Sequence, residues 1–210
     1  MSSLSYHHRF EHGTDPSAPL LLLLHGTGGD ENDLIPLGRK LSPGSTLLSP
    51  RGDVIEHDAR RFFARLSEGV FDPAEVTRRT NALADFIIAA GKHYRFDPAI
   101  LTSIGFSNGA NIAATLLLLR PETLGSAVLL RPMFVLEPPQ PPDLKGRRVF
   151  LSSGTVDPIV PNNHPIRLAD LLRRSGADVT LQTVPASHGL VSADLAGARD
   201  FLARRPAVGR

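Results

Sequence analysis

The sequence contains no cysteine, which excludes disulfides, thiolate zinc sites and a cysteine nucleophile and leaves chemistry to oxygen and nitrogen groups. It also lacks a strong charge of either sign. Lys and Arg number 23 against 21 Asp and Glu, a formal net charge of +2. The pairs Arg60-Arg61, Arg78-Arg79, Arg147-Arg148 and Arg173-Arg174 are scattered rather than gathered into a stripe, so no nucleic-acid partner is expected. No run approaches the ~20 apolar residues of a membrane span, and the opening MSSLSYHHRFEHG has no apolar stretch of signal-peptide type. A cytoplasmic protein without a membrane partner is therefore expected. With no internal repeat and no linker rich in Gly and Ser, a single domain over residues 1–210 is expected, long enough to bury a substantial core.

Short apolar runs recur along the chain, at Leu20 to Leu24, Thr46 to Ser49, Ile100 to Phe106, Ser126 to Leu130, Val149 to Ser152 and Val179 to Val184. Their length suits buried strands. Helical spacing predicts helices over 33–41, 74–94, 108–119, 165–175 and 190–204. Alternation of the two predicts an α/β fold with a mostly parallel central sheet and helices on both faces, with an edge strand near Tyr6 to Phe10. The proline-rich EPPQPPDLKG, residues 137–146, reads as a stiff surface connection. It leaves no room for a cap domain.

Between two of the apolar runs stands GFSNGAN, with Ser107 flanked by Gly105 and Gly109. Alone this is a loop turn or a nucleophile elbow, in which a tight strand-to-helix turn presents the serine hydroxyl. Later strand ends supply partners. VFLSSGTVDPIVP delivers Asp157, itself a turn former in another context, and VTLQTVPASHGL delivers His188. Serine, acid and histidine in that order match the α/β-hydrolase arrangement. Of the remaining histidines His164 is the rival, but it shares the loop of Asp157. After the first strong strand comes HGTGGDEND, a glycine-rich turn with neither the lysine of a Walker motif nor G-x-G-x-x-G spacing. It suits an oxyanion hole made by the backbone N–H groups of Thr27 and Asn108, with Asp30 and Asp33 as helix caps.

Together, LLLLHGTGGDENDL, SPRGDV, RRFFARLSEGVFD, GFSNGANIA, SGTVDPIVP and SHGL resemble the bacterial carboxylesterase/phospholipase group of α/β-hydrolases, related to the dienelactone hydrolases, from about Leu20 to Leu202. The resemblance implies the α/β-hydrolase fold without a cap domain, Ser107 as nucleophile, His188 as base, Asp157 as orienting acid and main-chain donors at Thr27 and Asn108. It also implies an ester substrate, no cofactor or metal, and a possible homodimer. RPMFVLE after the strand at Ser126 departs from the Ser-Gly continuation of acyl-protein thioesterases and lysophospholipases, and Ser187 stands where many relatives have glycine. Hydrolysis of small to medium esters is the first expectation, with thioesterase or lysophospholipase activity, or a non-catalytic binding protein, as alternatives. Phe62, Phe63, Met133, Phe134 and Val160 are candidates for an apolar substrate wall, each also a candidate for the core. Arg61 and Arg131 are either surface cations or, at the cleft rim, selectors of anionic esters.

Overall fold

The computed structural model describes residues 4–204; the domain expected over 1–210 extends past them at both ends. In chain order the elements are β1 (His8–Glu11), β2 (Leu20–Leu24), α1 (Ile35–Leu41), β3 (Thr46–Pro50), β4 (Val54–Glu56), β5 (Ala59–Arg61), α2 (Pro73–Tyr94), β6 (Thr102–Phe106), α3 (Asn108–Leu119), β7 (Ser126–Leu130), β8 (Arg148–Gly154), α4 (Asn163–Arg174), β9 (Asp178–Val184) and α5 (Ser192–Ala203). Seven strands form one sheet in the order β1-β3-β2-β6-β7-β8-β9. All its neighbours pair in parallel except β1, which runs antiparallel to β3 at the edge.

Five consecutive leucines make β2, and their alternation explains why both faces of the sheet are covered. Leu22 and Leu24 enter a core shared with Val76 and Leu83 of α2, Ile112 and Leu116 of α3 and Leu168 of α4. Leu21 and Leu23 enter the opposite core with Ile35 and Leu41 of α1 and Ala198 and Phe201 of α5. Each such leucine contributes about 1.5–3 kcal/mol when taken out of water. Helix α3 is buried almost all round, as its uniformly apolar sequence requires.

Helix α2 starts where Asp72 accepts the Ala74 N–H ahead of Pro73, a pairing of cap and first-turn proline that sets a helix start. By contrast α1 has no side-chain cap; Asp30 instead closes a preceding turn through the Asn32 N–H. The small hairpin β4–β5 lies in a stretch where no strand was expected, because its alternating polar residues carry little hydrophobic signal. Residues 131–147, which join β7 to β8, contain neither helix nor strand, so this connection forms no cap domain.

Strand order reverses between β2 and β6: from β2 the chain proceeds outward to β3, and from β6 it proceeds the other way through β7, β8 and β9. Loops leaving the carboxyl ends of β2 and β6 therefore part and leave a crevice, the place where open α/β sheets bind ligands.

Candidate active site

Ser107 sits in that crevice, between the last residue of β6 and the first of α3. Its backbone is in the left-handed half of conformational space, φ 52° and ψ −115°, a strained state for a residue with a side chain. The surroundings over-determine it. The Ser107 N–H donates to Leu130 O at 2.9 Å and its carbonyl accepts from the Asn111 N–H at 2.9 Å. Both flanking glycines are required by close backbone approach: a Cβ on Gly105 would lie 2.5 Å from Gly109 O, and one on Gly109 would lie 1.9 Å from Leu24 O. This turn aims the hydroxyl out of the sheet and into the crevice.

Ser107 Oγ is 2.9 Å from His188 Nε2, and His188 Nδ1 is 2.8 Å from Asp157 Oδ2. The carboxylate can only accept, so Nδ1 carries the proton and Nε2 of the neutral ring accepts from the serine hydroxyl. Asp157 stands just past β8, its side chain 1 % exposed. Its other oxygen accepts the N–H groups of Ile159 (2.8 Å) and Val160 (3.1 Å), so the turn-forming and histidine-orienting roles coexist in one carboxylate. The imidazole of His188 lies against the ring of Phe106, centroids 5.4 Å apart. His164 is absent from this set of contacts.

Thr27 and Asn108 face the same crevice as Ser107. Among the described residues neither backbone N–H has a protein acceptor, and that of Asn108 lies in the first turn of α3, where the helix dipole favours negative charge. The loop carrying Thr27 is braced from below by His25. Its Nδ1 donates to Gly26 O at 2.7 Å and its Nε2 accepts the Gly52 N–H at 2.9 Å. Burial lowers the pKa of this imidazole, in keeping with a neutral ring that must keep one nitrogen as an acceptor.

The cavity beside Ser107 encloses about 290 Å³, at the small end for ligand sites. Of the wall candidates Met133 and Val160 line it, together with Phe71, Phe106, Ile159 and Asn111. The other three candidates, open between wall and core, are not among its lining residues. Phe62 and Phe63 are fully buried: Phe62 packs on His25 and Phe63 on Phe71, so they support the wall from behind. Phe134 lies outside the cavity, under the guanidinium of Arg167.

The arginines also differ from expectation. Neither Arg61 nor Arg131 is a surface residue, at 4 % and 1 % exposed, although both contribute to the lining of the cavity beside Ser107. Arg61 donates to Thr27 Oγ1 at 2.6 Å and to Phe63 O at 3.1 Å, with Glu56 at 3.5 Å. Arg131 pairs with Asp194. Sequence reasoning passed over the side chains of Asn108 and Asn111, which accept the N–H groups of Phe62 (2.7 Å) and Met133 (2.6 Å). Their only signal was an amide beside an apolar helix. A roomier hollow of about 430 Å³ lies at the amino ends of β6, β7 and β8, the opposite end of the sheet from Ser107.

No group of His, Asp and Glu suited to a metal ion occurs among the described residues, and none of their helices is long and apolar enough to cross a membrane.

The phospholipase/carboxylesterase family model matches residues 67–205. The MhqD protein of Bacillus subtilis (strain 168) is 41 % identical over 194 residues, covering 92 % of this chain and 96 % of that protein. Among solved structures, the Bacillus cereus carboxylesterase is 41 % identical with a TM-score of 0.92, covering 95 % of this chain and 94 % of its own. A carboxylesterase from Mesorhizobium loti is 34 % identical with a TM-score of 0.89 and 97 % of each chain covered. Sequence and backbone agree over nearly the same span, and the chain belongs to the phospholipase/carboxylesterase family.

Proposed function

We propose that this protein is a serine hydrolase that cleaves small to medium carboxylic esters through an acyl-enzyme. The observation that carries the reading is the unbroken relay from Ser107 Oγ through His188 to Asp157, with 2.9 and 2.8 Å between the partners. Membership of a family whose solved members include carboxylesterases supports it.

In the first half-reaction the Ser107 oxygen attacks the ester carbonyl while its proton passes to His188 Nε2. The carbonyl π electrons move onto oxygen, and the N–H groups of Thr27 and Asn108 receive that oxyanion. Asp157 keeps the second ring nitrogen protonated and stabilises the imidazolium. Collapse expels the alkoxide, which takes the proton from Nε2 and leaves as the alcohol, with the acyl group on Ser107. In the second half-reaction water loses a proton to His188, adds to the acyl carbon, and the acid leaves as Ser107 regains its proton. A cavity of about 290 Å³ with Met133, Phe71 and Val160 on its walls favours short, apolar acyl groups over long chains, which need a longer covered channel.

The test is labelling with a fluorophosphonate probe, the modified residue identified by mass spectrometry, with His188→Ala alongside. Labelling at Ser107 that is lost in the variant supports the reading. A folded wild-type protein that stays unlabelled overturns it in favour of a binding protein on a hydrolase fold. Turnover of short nitrophenyl esters set against acyl-CoA and lysolipid then fixes the substrate class; a preference for either of the latter replaces the small-ester reading with a thioesterase or lysophospholipase.

A further inference from the structure

The most heavily bonded side chain near the crevice is one the proposed chemistry leaves out. Arg131 follows β7 with a left-handed backbone, φ 56°, held by its N–H on Ser152 O at 2.8 Å. Non-glycine residues occupy that region only where the surroundings compensate. Here the turn sends the guanidinium beneath the loop that carries His188. Nε donates to Ser187 O at 3.1 Å and Nη2 to Gly189 O at 2.9 Å, the two carbonyls immediately before and after His188. On its other side the same group pairs with both oxygens of Asp194, each at 2.8 Å, and both side chains are fully buried.

Asp194 is fixed in turn by the Ser152 hydroxyl at 2.5 Å and the Val191 N–H at 2.7 Å. The segment bearing Arg131 also holds the other half of the site: Leu130 O accepts the Ser107 N–H, and the Met133 N–H donates to Asn111 of α3. Four consecutive residues, 130–133, are thus tied to the serine turn on one side and to the histidine loop on the other. Among the described residues, neither Ser187 O nor Gly189 O is bonded to any other side chain.

We infer that Arg131 is a positioning residue, which uses its planar fork to set His188 Nε2 at bonding distance from Ser107 Oγ, with buried Asp194 as its anchor. A bidentate guanidinium suits the task, because it can meet a carboxylate along one edge and two carbonyls along the others, whereas a lysine ammonium is a single point of charge. The inference rests on the proposed role of His188. It predicts that losing the fork lets the loop shift while the apolar side of the cavity, formed by Phe71, Met133 and Val160, is kept; Arg131 itself contributes to the lining beside His188.

Arg131→Lys separates the two roles open to this arginine, since it keeps a cation for Asp194 and gives up the pair of loop carbonyls. Expected are a kcat for a short nitrophenyl ester and a rate of fluorophosphonate labelling both lower by about 10–100-fold, the scale of a displacement of roughly 1 Å, with KM within about threefold of wild type. The low-field proton resonance of the His188 Nδ1–H bonded to Asp157 should move or broaden in the same variant. The double variant Arg131→Met/Asp194→Leu removes both charges together, leaving no unpaired buried ion, and serves if the lysine variant does not fold; the same losses are expected. A folded variant with wild-type kcat and an unmoved resonance overturns the inference and reduces the pair to a structural clasp. If the wild-type protein proves unreactive, the proposed function fails instead, and the resonance still reports whether Arg131 sets the position of His188.

Discussion

Gly109→Ala tests whether the serine turn works by the close approach of two backbones. The added Cβ would stand 1.9 Å from Leu24 O and 2.6 Å from His25 O. These are main-chain atoms of the last residue of β2 and of the residue after it, so no rotamer change relieves the clash. Reaching the 3.4 Å at which ordinary contact begins requires the start of α3 to recede by about 1.5 Å from β2. That movement carries the Asn108 N–H and the Ser107 hydroxyl away from Thr27 and His188. Overpacking of this kind costs roughly 1–3 kcal/mol, and for a chain of this size each kcal/mol lowers the melting temperature by about 2–4 °C. A misplacement of about 1 Å in reacting groups costs roughly 100-fold in rate. The expected variant therefore melts lower by roughly 2–12 °C and is labelled by fluorophosphonate at least about 100-fold more slowly. Thermal melting followed by a labelling time course measures both. A variant labelled within threefold of the wild-type rate would refute the claim that this contact holds the turn.

Asp157→Asn keeps the shape of the carboxylate but not its charge, and its amide can stabilise the wrong imidazole tautomer; turnover should fall by about 10⁴-fold with KM little changed. Steady-state kinetics check this, and a fall below tenfold would remove Asp157 from the relay. Val160→Phe narrows the cavity without touching the Val160 N–H that Asp157 accepts, so kcat/KM for a butyrate ester should drop more than for acetate, a ratio read from paired assays. His25 contributes a pH dependence: burial lowers its folded-state pKa below the usual 6.5, while the unfolded chain protonates near that value. Its contribution to stability is thus present above pH 6.5 and is lost as pH falls from there toward the folded pKa. Melting curves of His25→Gln, measured across that window, should show a shallower acid-side decline than wild type; equal slopes would contradict the buried, neutral ring.

Ser107, Asp157 and His188 were legible because each follows an apolar run short enough to be a strand, and strand ends of an open α/β sheet converge on one edge. Phe62 and Phe63 stayed open between wall and core for a related reason: an aromatic residue carries the same hydrophobic signal whether it lines a cavity or backs it. In this fold Phe71 and Phe106 reach the cavity, while the Phe62 ring lies behind, on His25.

The sequence by itself determined the layering, since five leucines in a row can satisfy both faces only inside a parallel sheet covered on each side, and it determined the turn at Ser107, since Gly105 and Gly109 permit an approach that any side chain would block. Only the tertiary structure decided what Arg131 does. Its partners Ser152, Ser187, Gly189 and Asp194 lie 21 to 63 residues away, and two of the bonds go to backbone carbonyls beside His188, which have no residue-type signature. Local pattern records which way a side chain faces and where a strand ends; whether an arginine meets water or a buried carboxylate depends on segments that become neighbours only when β7, β8 and the start of α5 pack together.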